Sequence, residues 1–284
     1  MTAPAQASDI VFTRHPAARG VAWLRESWAM FGQARLPWLA LIAGYYLVLL
    51  LASWVFSYLH PIAGQAITML LKPVLAVGLL AAAWSQERGD RPRPRDLFRG
   101  FQANVRALLA CGAAMLIGIA AALLVVSLIA GHILVELFTG PQPPDEALLR
   151  STRLQLGLMA GAVVAMPVTL ALWFAPALVV FQDASARAAL GASLRAAMAN
   201  WRPMLVFGLV VFGVGVLLPL IVVQVLIPLF PGEAGLSVAQ VLLAAWGLML
   251  AATLHIADYV SYRDIFHAGE TLAPLDGGRS RTDA

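Results

Sequence analysis

The chain has 284 residues, of which 61% are hydrophobic and 12% charged, and its net charge is +4. Soluble domains average about 25% charged residues and roughly 45–50% apolar ones, so a water-soluble globule is excluded; it could not hide so much apolar surface. The lone Cys111 excludes an intrachain disulfide framework and a multi-cysteine metal site; inside an apolar run it reads as a small packing residue.

Residues 1–16 are expected to form a flexible tail, followed by a transmembrane domain over residues 17–266 and a second flexible tail over residues 267–284. The domain begins with an amphipathic stretch in which Val21, Leu24, Trp28 and Phe31 share a helical face. About 20 apolar residues cross a bilayer. The first such run, at 37–58, is too long and too far from the start for a signal peptide, and reads as a retained span. Pro61 and Gly64 predict a tight turn into a second span at 66–84. Another amphipathic stretch, with Leu97, Phe101, Val105 and Leu108 on one face, leads into a third span at 107–131. The fourth, at 155–181, contains Pro167 and Pro176 and is expected to tilt or kink. Leu190, Leu194, Met198 and Trp201 then form a third amphipathic face ahead of a fifth span at 205–229. Pro231 and Gly232 turn the chain into a sixth at 237–258. The fold class expected is all-α, a polytopic bundle of six transmembrane helices.

Every Lys and Arg except Lys72, Arg150 and Arg153 falls in the segments on one side of these spans. The positive-inside rule makes that side cytoplasmic and places both termini there. Trp38, Tyr58, Trp84 and Trp201 fall near span ends, where amphipathic rings favour the headgroup layer. Each amphipathic stretch precedes an odd-numbered span and should lie in the membrane interface. Ser27 and Pro37 align without gaps with Ser193 and Pro203. This predicts three parallel repeats, each an interfacial helix plus a transmembrane hairpin.

The segments WFAPALVVF at 173–181, ASLRAAMANWRP at 192–203 and SYRDIF at 261–266 resemble those of a group of uncharacterised bacterial inner-membrane proteins named only by locus tag. The similarity runs from about Arg19 to Phe266. It implies six helices and supplies no catalytic residues.

Ionisable residues inside a span are costly and need a reason. Lys72 lies about six residues into the second span, roughly 9 Å below its outer boundary. Either its amine snorkels to the interface, or it joins His60, His132 and Glu136 in an outward-facing polar cluster, with Glu136 as its ion-pair partner. A packing role for that cluster outweighs proton relay, and a lysine would repel a bound cation. A second cluster, His255, Asp258, Tyr262, Arg263 and Asp264, closes the sixth span at the opposite face of the bilayer. It reads first as a helix-end anchor, in which Asp258 accepts from Tyr262 or pairs with an arginine of a neighbouring helix, and second as a docking site. Small residues at four-residue spacing, Ala114, Gly118 and Ala122 in one span and Gly157, Gly161 and Ala165 in the next, predict close helix contacts within the chain or between copies.

No zinc-helix, nucleophile-elbow or P-loop motif is present, and no cofactor, metal or nucleic-acid partner is expected. The arginine-rich loop after the second span is better explained by topology and anionic headgroups than by nucleic acid. The expected partners are the lipid bilayer and, left open, a second copy or another membrane protein. The function expected is that of a structural or accessory membrane component, with a small-solute transporter or channel as the alternative and a membrane enzyme last.

Overall fold

Each of the six apolar runs folds as a helix, or as helices in line, long enough to cross a bilayer. The computed structural model describes residues 10–139, 146–230 and 234–267; the Pro231–Gly232 turn and most of both expected tails lie outside them. Helix α1 (Arg19–Gln33) precedes the first span, α2 (Arg35–Ser57). The second span is α3 (Pro61–Glu87), and a 3₁₀ segment (Pro94–Gln102) follows it. The third is α4 (Val105–Thr139), kinked where Ala130 leaves helical geometry at φ −129°. After the short α5 (Glu146–Leu149), the fourth span is divided into α6 (Thr152–Trp173) and α7 (Ala175–Phe181). Helix α8 (Ala186–Ala199) leads into α9 (Trp201–Phe212), which passes through a π turn (Gly213–Leu217) into α10 (Leu218–Leu229). The last span is α11 (Ala234–Phe266).

The expected kink in the fourth span is present, and its site is the second proline. Pro167 stays within α6, whereas the chain breaks at Phe174 and Pro176 opens α7, where its missing N–H costs nothing. Ser193 of α8 repairs the break. Its hydroxyl accepts from the Phe174 amide at 3.0 Å and donates to the Leu170 carbonyl at 2.9 Å.

Helix α3 is the hub, packed against α2, α4, α7, α11 and the 3₁₀ segment. Its second half is almost entirely enclosed, from Val74 and Leu75 to Ala81, Ala82 and Ala83. The matching part of α11, from Ala252 to Phe266, is buried with it, whereas Val241, Leu242 and Leu243 are exposed. The molecule therefore has a densely packed end and an end whose spans expose apolar side chains to lipid. The packed end carries Arg19, Arg88 and Arg263 and is called the basic end below.

The amphipathic segments before the first and fifth spans pack on the bundle through their smaller residues. Helix α1 buries Gly20, Trp23, Ser27 and Phe31, and leaves Val21 and Trp28 exposed. Helix α8 buries Ala188, Ala189, Ala192, Ser193, Ala196 and Ala197, and exposes Met198. In an interfacial helix the bulky apolar residues can meet lipid while small ones meet protein. The helix–break–span pattern recurs at α1–α2 and α8–α9. Between them the corresponding segment is 3₁₀, so the fold does not establish a threefold repeat.

The small-residue faces join α4 to α6 within the chain. A Cβ on Gly161 would meet Val126 Cγ2 at 2.7 Å and the Ala122 carbonyl oxygen at 3.2 Å, and one on Gly118 would meet Val168 Cγ1 at 2.7 Å. Gly161→Leu is expected to lower stability by about 1–3 kcal/mol, the usual cost of overpacking. Its melting midpoint in detergent micelles checks this, and an unchanged midpoint would refute the contact.

Candidate functional site

Local geometry commits most of the polar residues to holding the basic end together. Asp264 projects from α11 toward α1, where its carboxylate accepts from Arg19 Nε and from Trp23 Nε1, both at 2.8 Å, and pairs with Arg19 Nη2 at 2.8 Å. The hydrogen bond to Asp264 raises the Arg19 guanidinium above its ordinary pKa, against the opposing effect of burial. Arg263, the preceding residue, bridges Glu26 of α1 at 2.9 Å and Glu87 of α3, and the Tyr259 hydroxyl also donates to Glu87. Three helices are thus riveted by charge at one point.

The N-terminal segment crosses the same end. The Thr13 amide donates to the Ile265 carbonyl at 2.7 Å, and His15 Nε2 lies 2.9 Å from the Asp264 carbonyl oxygen. Asn200 clamps the strap from the other side, accepting from the His15 amide at 2.8 Å and donating to the Thr13 carbonyl at 3.0 Å. The expected flexible leader is therefore docked from Ile10 onward, with Ile10 itself buried.

The three resemblance segments converge here. Phe174 meets Phe266 edge-on at 5.5 Å, Phe181 stacks on Tyr262 at 5.4 Å, and Ser193 spans the α6–α7 break. Tyr262 is fully buried, and its hydroxyl contacts Gln182 and His267. These residues pack and bond the end of α11 to its neighbours. One expectation is corrected: the carboxylate that takes an arginine is Asp264, not Asp258. Six positions farther along α11, Asp264 has rotated toward α1, which Asp258 does not face.

Asp258 instead pairs with His255 Nδ1 at 3.3 Å, and the His255 ring lies 5.2 Å from that of Tyr45 on α2. Both residues line a cavity of about 340 Å³ bounded by α2, α3, α4, α6, α7 and α11. Lys72 lines it too. Two groups expected at opposite faces of the bilayer thus share one chamber. Pro73, Met115, Ile119, Val168, Leu172 and Trp173 supply most of its apolar wall, and Tyr45 and Thr169 are its remaining polar side chains. The Thr169 hydroxyl is committed to the Ala165 carbonyl at 3.0 Å. Tyr45, Thr169 and Trp173 carried no sequence signal as site residues, because a lone polar or aromatic residue in a span has no spacing to announce it.

The expected outer cluster does not assemble. His60 is the N-cap of α3, its ring accepting from the Ile62 amide at 3.2 Å. Lys72 follows it by 12 residues, about 18 Å of helix. A Cβ on Gly112 would lie 2.7 Å from Leu70 Cα, which sets α4 against α3. Ala130, where α4 kinks, already lies 18 residues, about 27 Å, past Gly112, and His132 and Glu136 beyond the kink are exposed. Among the described residues no hydrogen bond or ion pair reaches Lys72, so neither Glu136 nor any other carboxylate there is its partner. The misreading came from assuming that span ends lie level, whereas α4 is 35 residues long.

No family model matches the chain, and no solved structure matches it. One curated relative, a protein of Burkholderia thailandensis described as a probable inner membrane protein, is 27% identical over 266 residues, covering 91% of this chain and 94% of the relative.

Proposed function

We propose that this integral membrane protein is an accessory component of the bacterial cytoplasmic membrane that holds a small ligand in its intramembrane chamber. The observation that carries the reading is the chamber itself: about 340 Å³, within the range of ligand sites, with Lys72 and the His255–Asp258 pair on an otherwise apolar wall. The similarity to a probable inner membrane protein supports the location, and the bias of arginines supports a cytoplasmic basic end. Binding is favoured over catalysis because the Thr169 hydroxyl is already spent on a backbone carbonyl and the His255–Asp258 pair faces no thiol or serine.

Transport is the second reading, and one observation favours it. The α6–α7 break lies between Trp173 and Pro176, both on the chamber wall, as discontinuous helices do in transporters. Ser193 satisfies the groups that break frees, which weighs toward a static site.

Protein released from native membranes in mild detergent is expected to carry one small molecule or lipid per chain by native mass spectrometry. Ala165→Phe, which fills the chamber, should abolish the adduct while the elution volume on gel filtration stays unchanged. Adduct-free parent protein, or an adduct that survives the filling substitution, would overturn the reading.

A further inference from the structure

We infer that the chamber takes an anionic amphiphile, its carboxylate or phosphate on Lys72 and its apolar part against Met115, Ile119, Val168 and Leu172. This rests on the reading of the chamber as a ligand site and names its ligand class. Lys72 sits 11 residues from Pro61 and 15 from Glu87, about 16 Å and 22 Å along α3, so neither end of the helix is within reach of its side chain. It is half-buried, and among the described residues it has no hydrogen-bond or ion-pair partner. A solitary ammonium at that depth is costly to keep. An anion brought beside it in a poorly screened surrounding gains far more than it would in water.

The other charged groups on the wall direct the anion to Lys72 by elimination. His255 is held 3.3 Å from Asp258, which neutralises the imidazolium if it forms and repels a second carboxylate. Tyr45 is packed against the His255 ring, and Thr169 is bonded to its own helix. Beyond the Tyr45 hydroxyl and the Trp173 indole N–H, which suit the same headgroup, the wall is apolar, so the rest of the molecule must be apolar. Thr169 of the chamber wall is itself exposed, so the chamber opens on the surface of the spans, the side from which an amphiphile would come.

Trp173 lines the chamber and supplies a reporter. Full-length protein in phosphatidylcholine nanodiscs would be titrated with a dibrominated fatty acid, the matching brominated alcohol and a brominated phosphatidic acid, following the quenching that Trp173→Phe removes. Saturable quenching by an anionic probe is expected, at least tenfold weaker in Lys72→Met and retained in Lys72→Arg. The fatty acid and the phosphatidic acid decide between carboxylate and phosphate, and either result supports the inference. Should the alcohol bind as tightly as the acids, or Lys72→Met bind as the parent does, the anion is refuted while the chamber survives as a ligand site. Absence of saturable Trp173 quenching with every probe would overturn both.

Discussion

Asp264→Ala is expected to destabilise the protein by about 2–3 kcal/mol, the range for losing charge-assisted hydrogen bonds and leaving a buried donor unpaired. The carboxylate holds two donors of α1, Arg19 and Trp23, and Trp23 is buried with its indole N–H pointing at Asp264. Deletion leaves that N–H unpaired in an apolar surrounding and takes from the Arg19 guanidinium its 2.8 Å partner, leaving it only Glu26 at 3.4 Å. The strap over α11 should loosen with it, because His15 bonds the backbone of the same residue. Thermal unfolding in detergent measures the first effect, and limited proteolysis within residues 10–18 measures the second. Asp264→Asn keeps an acceptor for Trp23 but loses the charge, and should fall between parent and Ala. Asp258→Asn, whose only described partner is His255 and whose side chain is 39% exposed, should shift the midpoint little. Equal effects at Asp258 and Asp264 would sink the assignment of the rivet.

The contrast between these two aspartates shows where sequence reasoning stops. Both stand at the end of the same helix, and spacing alone put Asp258 on a face with His255 and Tyr262. Which face meets a neighbour depends on how α1 crosses α11, and that crossing is decided by contacts remote in sequence. Gly20 is one of them, since a Cβ there would strike the Pro203 carbonyl oxygen of α9 at 2.2 Å. No periodicity in either segment announces that approach.

Span positions were legible because hydropathy and length are local properties, and α2 begins within a few residues of its expected start. Span depth was not. Helix α11 continues eight residues past the expected end at 258, because Tyr259, Tyr262 and Phe266 are buried by protein instead of meeting headgroups. Trp38 was misread for the same reason: it looks like an interfacial anchor by position, yet it is fully buried and its indole donates to Gln86 at 2.6 Å. Tyr58 and Trp201, by contrast, sit on the surface. A hydrophobic scale scores lipid and protein interior alike, so it cannot separate these cases. Lys72 was legible as a charge inside an apolar run. Its surroundings came out differently because they are assembled by six helices.

Gly100→Val carries the largest steric penalty in the fold. The 3₁₀ segment lies so close to α3 that a Cβ on Gly100 would stand 1.8 Å from the Val74 carbonyl oxygen, and one on Gly78 would stand 2.3 Å from that of Leu97. The two glycines approach from opposite partners, so the helix and the segment touch backbone to backbone in both directions. Ordinary overpacking costs about 1–3 kcal/mol because side chains give way; here the obstacle is main chain, and the segment must lift off α3 to admit even one methyl group. Leu97, buried beneath it, would then be uncovered, along with Gly44 of α2 against which it packs. The loss should exceed that of Gly161→Leu, whose nearest obstacle is a valine methyl that can rotate. Comparing the two variants with the parent by thermal unfolding in detergent tests the ranking. A Gly100→Val protein that melts above Gly161→Leu would mean that the 3₁₀ segment is not clamped to α3, and the central place given to that helix would fall with it.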